Sequence, residues 1–249
     1  MRKAALFLGL LLLSSTAAAA TWAQFVLGGG YESVLMASNK TAFPWSGYVK
    51  LLQGYNSGWT GRWYINGVEY SGSTGYVVAI PPYGTVKLLF TGDTTMRTGY
   101  MDFNADSYSY SSDVAYSFFY NLRTDGGDLT ETVGGPESAS AKKLMFGVEK
   151  SAKVDTGYAI CPYSRYSTSS FQMVLTLYNA DGTIYASKPW TFIAQHAIFA
   201  SQVFDLPQNF VGFLKVDSQQ YIYMTVLRME YNSTGWQFTC IPPDDYVIF

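Results

Sequence analysis

The sequence predicts an all-β protein: two tandem antiparallel β-sandwich domains behind a short leader. Three observations carry this. Short runs rich in Val, Ile, Leu, Tyr and Phe recur between clusters of Gly, Asn, Asp, Ser and Pro, the spacing of an antiparallel sandwich. Aromatic residues make up 17% of the 249 positions, and rings fit a pleated surface better than a helix. No window outside the leader carries a long apolar stripe of period 3.6, so almost no helix is expected there.

The N-terminus reads MRKAALFLGLLLLSSTAAAATWAQF. Arg2 and Lys3 form a basic region, Ala4 to Leu13 an apolar one, and AAAATWA offers small-residue cleavage points after Ala20 or Ala23, the three parts of a secretory signal peptide. Residues 1–23 are therefore read as a Sec-type leader and the destination as secreted, periplasmic or cell-surface. The apolar run is too short for a retained anchor and no second run of about 20 apolar residues follows, so the mature chain has no expected transmembrane segment.

Charge narrows the partners. Lys and Arg total 16 and Asp and Glu 18, for a formal net charge of −2. No basic cluster supplies the face that nucleic acid demands, so none is expected as a partner.

The chain also repeats itself. TGYMDFNADSYSYSSDVAYSFFYN lies beside VGFLKVDSQQYIYMTVLRMEYN, with Gly99 on Gly212 and Tyr120-Asn121 on Tyr231-Asn232. GYVKLLQGYNSG matches FQMVLTLYNADG, and YESVLMASN matches DTGYAICPYS. The expected units are residues 24–141 and 142–249, joined at GGPESASAKK.

Within the first copy, even positions from Tyr108 to Tyr120 read Tyr, Tyr, Ser, Val, Tyr, Phe, Tyr, and the odd ones between are mostly small or polar. Period 2 marks a strand with one buried face. The segment exceeds a usual strand, so a bulge or bend near Ser111-Ser112 is expected. The same phase in the second copy assigns Tyr221, Tyr223, Thr225, Leu227, Met229 and Tyr231 to the core.

The two cysteines, Cys161 and Cys240, lie in apolar strand-like stretches of an exported chain and are expected to form a disulfide. It would close a 79-residue loop, worth about 4.5 kcal/mol in the chain-entropy model.

Catalysis is poorly supplied. His196 is the only histidine, reads as a turn residue, and has no GxSxG elbow beside it. One His and two distant Cys make no zinc set, and no cofactor is expected. LGGGYE lacks the Gly-Lys-Ser/Thr of a phosphate loop and reads as a turn leading into a strand. Asp102, Asn104 and Asp106 occupy positions 1, 3 and 5 of a calcium-loop pattern, but Ser107 stands where that loop requires glycine. An Asx-rich hairpin turn is the expectation there. NKT at Asn39 and NST at Asn232 are glycosylation acceptors in a host that uses them.

One asymmetry separates the copies. Copy one carries about eleven extra residues around GWTGRWYINGVEYSG, and insertions in repeats map to loops, often on a binding face. YINGVEY predicts a two-residue Asn-Gly type I′ hairpin pairing Ile65 with Val68, Tyr64 with Glu69 and Trp63 with Tyr70. Trp63, Ile65, Val68 and Tyr70 then share a face packed on the sandwich. Trp59, Arg62, Tyr64 and Glu69 remain as ligand-binding candidates, able to stack on and hydrogen-bond a sugar or peptide.

On FVLGGGYESVLMASN, VLTLYNADGTI and FVGFLKVDS the chain resembles uncharacterised secreted bacterial proteins built from tandem immunoglobulin-like β-sandwich repeats. AICPYS in the second copy and the inserted hairpin depart from that pattern. The resemblance implies export and a sandwich fold, and brings no catalytic or binding residues.

The function expected is that of an exported, non-enzymatic cell-surface, matrix or adhesion protein contacting polysaccharide or a cell-surface protein through the hairpin. Two alternatives stand beside it. One is a hydrolase using paired carboxylates on sandwich loops. The other is a small outer-membrane barrel, prompted by the aromatics and Phe249. Counting back from that end, Val247 fits a lipid-facing position but Asp245 does not.

Overall fold

The computed structural model describes residues 20–249 apart from 55–56, 73–74, 107–108, 110, 125–126, 136–137, 164–169, 234, 242 and 246–249. Residues 1–19 of the expected leader lie outside the described residues. The fold is all-β, and every strand pairing is antiparallel.

The first half comprises β1 (Ala20–Leu27), β2 (Tyr31–Asn39), β3 (Trp45–Gly54), β4 (Ser57–Ile65), β5 (Val68–Gly72), β6 (Tyr76–Ile80), β7 (Thr85–Gly92), β8 (Arg97–Ala105), β9 (Val114–Arg123) and β10 (Leu129–Gly135). The second comprises β11 (Ala139–Lys150), β12 (Val154–Pro162), β13 (Phe171–Asn179), β14 (Ile184–Phe192), β15 (His196–Phe199), β16 (Phe210–Asn232), β17 (Gly235–Ile241) and β18 (Asp244–Asp245). The helix α1 (Ala200–Val203) and a 3-10 turn at Ser111–Asp113 are the only helical segments among the described residues.

The same pairings recur in both halves. β8 lies between β1 and β3, and β2 between β7 and β9, with β10 beyond β9 and β6 on β3. Correspondingly, β16 lies between β11 and β13, β12 between β15 and β16, with β17 on β16 and β14 on β13. The second half fuses into the single strand β16 what the first half divides into β8 and β9. The β4–β5 hairpin has no counterpart among the described residues of the second half.

Each half has its own core. Trp22, Phe25, Trp45, Trp63, Phe90 and Phe118 are among the residues of the first; Phe146, Phe171, Leu175, Leu214, Met224 and Val226 are among those of the second. Trp22 and Phe25 are three positions apart, an odd spacing that would send them to opposite faces of a regular strand. A β-bulge resolves this. Trp22 pairs with Met101 and Phe25 with Gly99, leaving Ala23 and Gln24 together opposite Tyr100. Both rings therefore meet Phe118, at 5.4 and 6.0 Å.

Val114, Phe118 and Tyr120 are buried in the first core, while Ala115 and Ser117 are exposed. The period-2 reading of this stretch holds from Val114 onward, and the expected break is the 3-10 turn at Ser111–Asp113. In the second copy the phase is reversed. Ile222, Met224 and Val226 face the second core, whereas Tyr221 and Tyr231 are each 52% exposed. β16 is covered on both faces, so its alternate residues divide between the second core and the first half, and the even positions take the second core. The odd positions Tyr223, Thr225, Leu227 and Met229 face the first half instead, where Tyr223 clusters with Ala23, Leu52, Tyr100 and Cys161.

Candidate functional site

The hairpin forms in the predicted register: Ile65 opposite Val68, Tyr64 opposite Glu69, Trp63 opposite Tyr70. Asn66 and Gly67 both take positive φ, 51° and 82°, as a type I′ turn requires. The turn asparagine does more than accept that backbone. Its Oδ1 accepts from the Leu89 amide at 2.9 Å and its Nδ2 donates to the Lys87 carbonyl at 3.2 Å, which ties the tip to β7.

Trp63 and Ile65 are buried, and the Trp63 ring lies 5.2 Å from that of Tyr70. Val68, expected on the packed face, is 57% exposed. β4 pairs with β7 through Trp63–Gly92 to Ile65–Phe90, so its residues sit within the sheet; β5 pairs only with β4 and overhangs. On the opposite face Arg62 Nε lies 3.5 Å from Glu69 Oε1, both side chains well exposed, and Tyr64 is half-buried. Trp59 pairs with Gly72 through its backbone; its side chain lies outside the described ones.

The expected disulfide does not form. β12 and β17 flank β16 on opposite edges, with Cys161 opposite Tyr223 and Cys240 opposite Leu227. Two strand spacings separate them laterally by about 9–10 Å before the offset along β16 is added, beyond the roughly 4.4–6.8 Å that a disulfide spans between Cα atoms. Both remain thiols. Burial pushes the Cys240 thiol up to about 12.

The Asx-rich segment is strand rather than turn as far as Ala105. Asp102 and Asn104 lie in β8, and Asp102 accepts from Thr21 Oγ1 at 2.9 Å. An extended strand spreads alternate residues about 7 Å apart, whereas calcium needs converging oxygens. Asp106 accepts from the Ser46 hydroxyl. Among the described residues no three His, Cys, Asp or Glu side chains are grouped to hold a metal. His196 opens β15 opposite Ile160 instead of sitting in a turn, against Trp190 at 5.5 Å. Asn39 is 3% exposed, its amide spent on the carbonyls of Phe43, Ile80 and Pro81 and its oxygen on Thr41, so it presents no acceptor for a glycan. Gly28, Gly29 and Gly30 all have positive φ and make the tight turn from β1 to β2. A Cβ on Gly28 would fall 2.3 Å from the Thr95 carbonyl oxygen.

A second feature gave no signal in the sequence, because it lies between the halves. β1, β9 and the turn before β8 face β12, β15, β16 and β17 across a cavity of about 410 Å³. Its second-half wall is recessed because Gly157, Ala159 and Ala197 are neighbours across β12 and β15. Tyr31 and Phe238 stand at one side, edge to face at 6.4 Å. Burial, and then the charge of Glu131, holds the Tyr31 hydroxyl above the usual phenol range, and burial holds Tyr120 well above it. Both phenols thus stay neutral near pH 7, and no residue lining the cavity is acidic or basic.

The comparisons come out empty. No protein-family model, curated protein or solved structure matches this chain.

Proposed function

We propose that the chain is an exported, non-enzymatic cell-surface or matrix protein that binds polysaccharide through the β4–β5 hairpin. In this reading an N-terminal leader ending no later than Ala20 directs export, and two immunoglobulin-like sandwich repeats that meet near residue 141 form the framework. The recurrence of strand pairings in the two halves supports the repeat.

The carrying observation is the hairpin itself, a paired element of the first half without a counterpart among the described residues of the second, with Arg62, Tyr64 and Glu69 opposite its buried face. A phenol ring beside an Arg–Glu pair offers a stacking surface together with donors and acceptors for sugar hydroxyls. The type I′ turn and the Asn66 tether hold these groups in place before a ligand arrives, which reduces the ordering cost of binding.

The test is co-sedimentation of the exported protein with insoluble polysaccharides and gel retardation with soluble ones, beside a Trp59→Ala, Tyr64→Ala variant. Binding by the wild type that the variant loses is the expected result. Equal binding by both moves the site off the hairpin, and binding by neither removes polysaccharide as the partner.

A further inference from the structure

We propose that the cavity between the two halves is a binding site for a small, uncharged, predominantly apolar molecule, such as a medium-length acyl chain of an alcohol or ester. The site is separate from the hairpin, and the inference does not depend on the reading given above.

The volume, about 410 Å³, lies within the 300–1,000 Å³ of small-molecule sites. Packed β-layers normally fill the space between them with interdigitating side chains. Here the wall facing β1 carries a patch of residues too small to fill it: Gly157 lies opposite Phe199, and Ala159 opposite Ala197. A Cβ added at Gly157 would reach the Phe199 ring at 3.4 Å, an ordinary contact, so space alone does not demand glycine there. Val26, Leu227, Met229 and Phe238 make the rest of the surface mainly apolar.

The polar groups favour a neutral occupant. Gln24 Oε1 already accepts from Gln195 Nε2 at 3.1 Å, Thr225 Oγ1 is paired with Ser138 at 2.7 Å, and Tyr120 donates to the Gln24 carbonyl at 2.5 Å. A carboxylate entering this lining would lose its water, meet no basic group, and lie near Glu131, whose charge already reaches Tyr31. An alcohol or ester would lose little.

The probe is N-phenyl-1-naphthylamine, neutral and fluorescent in apolar surroundings, titrated into the full exported protein with dodecan-1-ol and dodecanoate as competitors. Saturable one-to-one binding is expected, displaced by the alcohol at least tenfold more effectively than by the carboxylate at pH 8. Ala159→Leu should fill the cavity and lower probe affinity at least tenfold. Ala197→Trp acts at an exposed position of β15 that lines the same cavity, and should lower probe affinity to the same extent with an unchanged circular dichroism spectrum. No saturable binding by the wild type, together with a higher melting temperature for Ala159→Leu, would show a dry packing void and overturn the proposal. So would probe binding that both variants retain, or stronger displacement by dodecanoate.

Discussion

The hydroxyl of Ser138 lies 2.7 Å from that of Thr225, and the same Ser138 oxygen accepts the amide of Ala23 at 2.7 Å. One buried side chain in the connection between the halves thus joins β1 of the first to β16 of the second. The Ser138 amide adds a 3.0 Å bond to the Thr21 carbonyl. Replacing Ser138 by Ala strands the Ala23 N–H in a buried place, and should cost about 1–3 kcal/mol of stability. Urea unfolding of Ser138→Ala, Thr225→Val and the double variant should show less than additive losses, since the two hydroxyls serve one network. Full additivity would mean that the pair does not couple the halves.

The burial of β1 predicts where an exported chain is processed. Thr21 and Trp22 are each 1% exposed, and Trp22 packs 5.4 Å from Phe118. Cleavage after Ala23 would remove that ring, a loss of the order of 3–5 kcal/mol for a buried Trp. Cleavage after Ala20 leaves it in place. Intact-mass measurement of the exported protein should give Thr21, or a residue before it, as the first residue. A start at Gln24 would refute this.

Cys161 and Cys240 should both react in denaturant without reductant, adding two N-ethylmaleimide groups by mass. In the native state, a Cys240 thiol pushed up to about 12 leaves only about one part in ten thousand as thiolate at pH 8, so alkylation there should be slower by orders of magnitude than after unfolding. A mass two units low that takes no label would establish the bridge that the strand order forbids.

Glu131 of β10 reaches β17, accepting the Phe238 amide. Burial raises its pKa above the ordinary carboxylate value of 4.5, outweighing that amide, which acts to lower it. The folded state therefore holds the Glu131 proton more tightly than the unfolded chain. This contribution to stability is present at low pH and is lost as pH rises from about 4.5 through the raised folded value. Glu131→Gln keeps an acceptor for the amide without the charge, and should flatten the pH dependence of the unfolding midpoint and raise stability at pH 7. An unchanged pH profile would remove Glu131 as its source.

Much of the fold was legible locally. The Asn66-Gly67 hairpin came out in register because the turn type is dictated by two adjacent residues able to take positive φ. The buried alternation of Val114, Phe118 and Tyr120 followed from the two-residue period of a strand. These features depend on neighbours in the chain. The reversed face of β16 and the separation of the two cysteines did not follow, because each turns on which strand lies beside which and in what register. A slip of one residue is nearly invisible in composition and decisive for burial.

The sequence by itself determined that the chain folds as β-structure, where its principal inserted hairpin turns, and that Val114, Phe118 and Tyr120 share a buried face. Only the tertiary structure decided that both faces of β1 are buried, that Ser138 ties the halves together, and that small residues from β12 and β15 meet to leave a cavity against β1 and β9. The reason is range: period and turn chemistry act over a few residues, whereas a cavity or an interface is made by residues over a hundred positions apart, whose proximity no local pattern records.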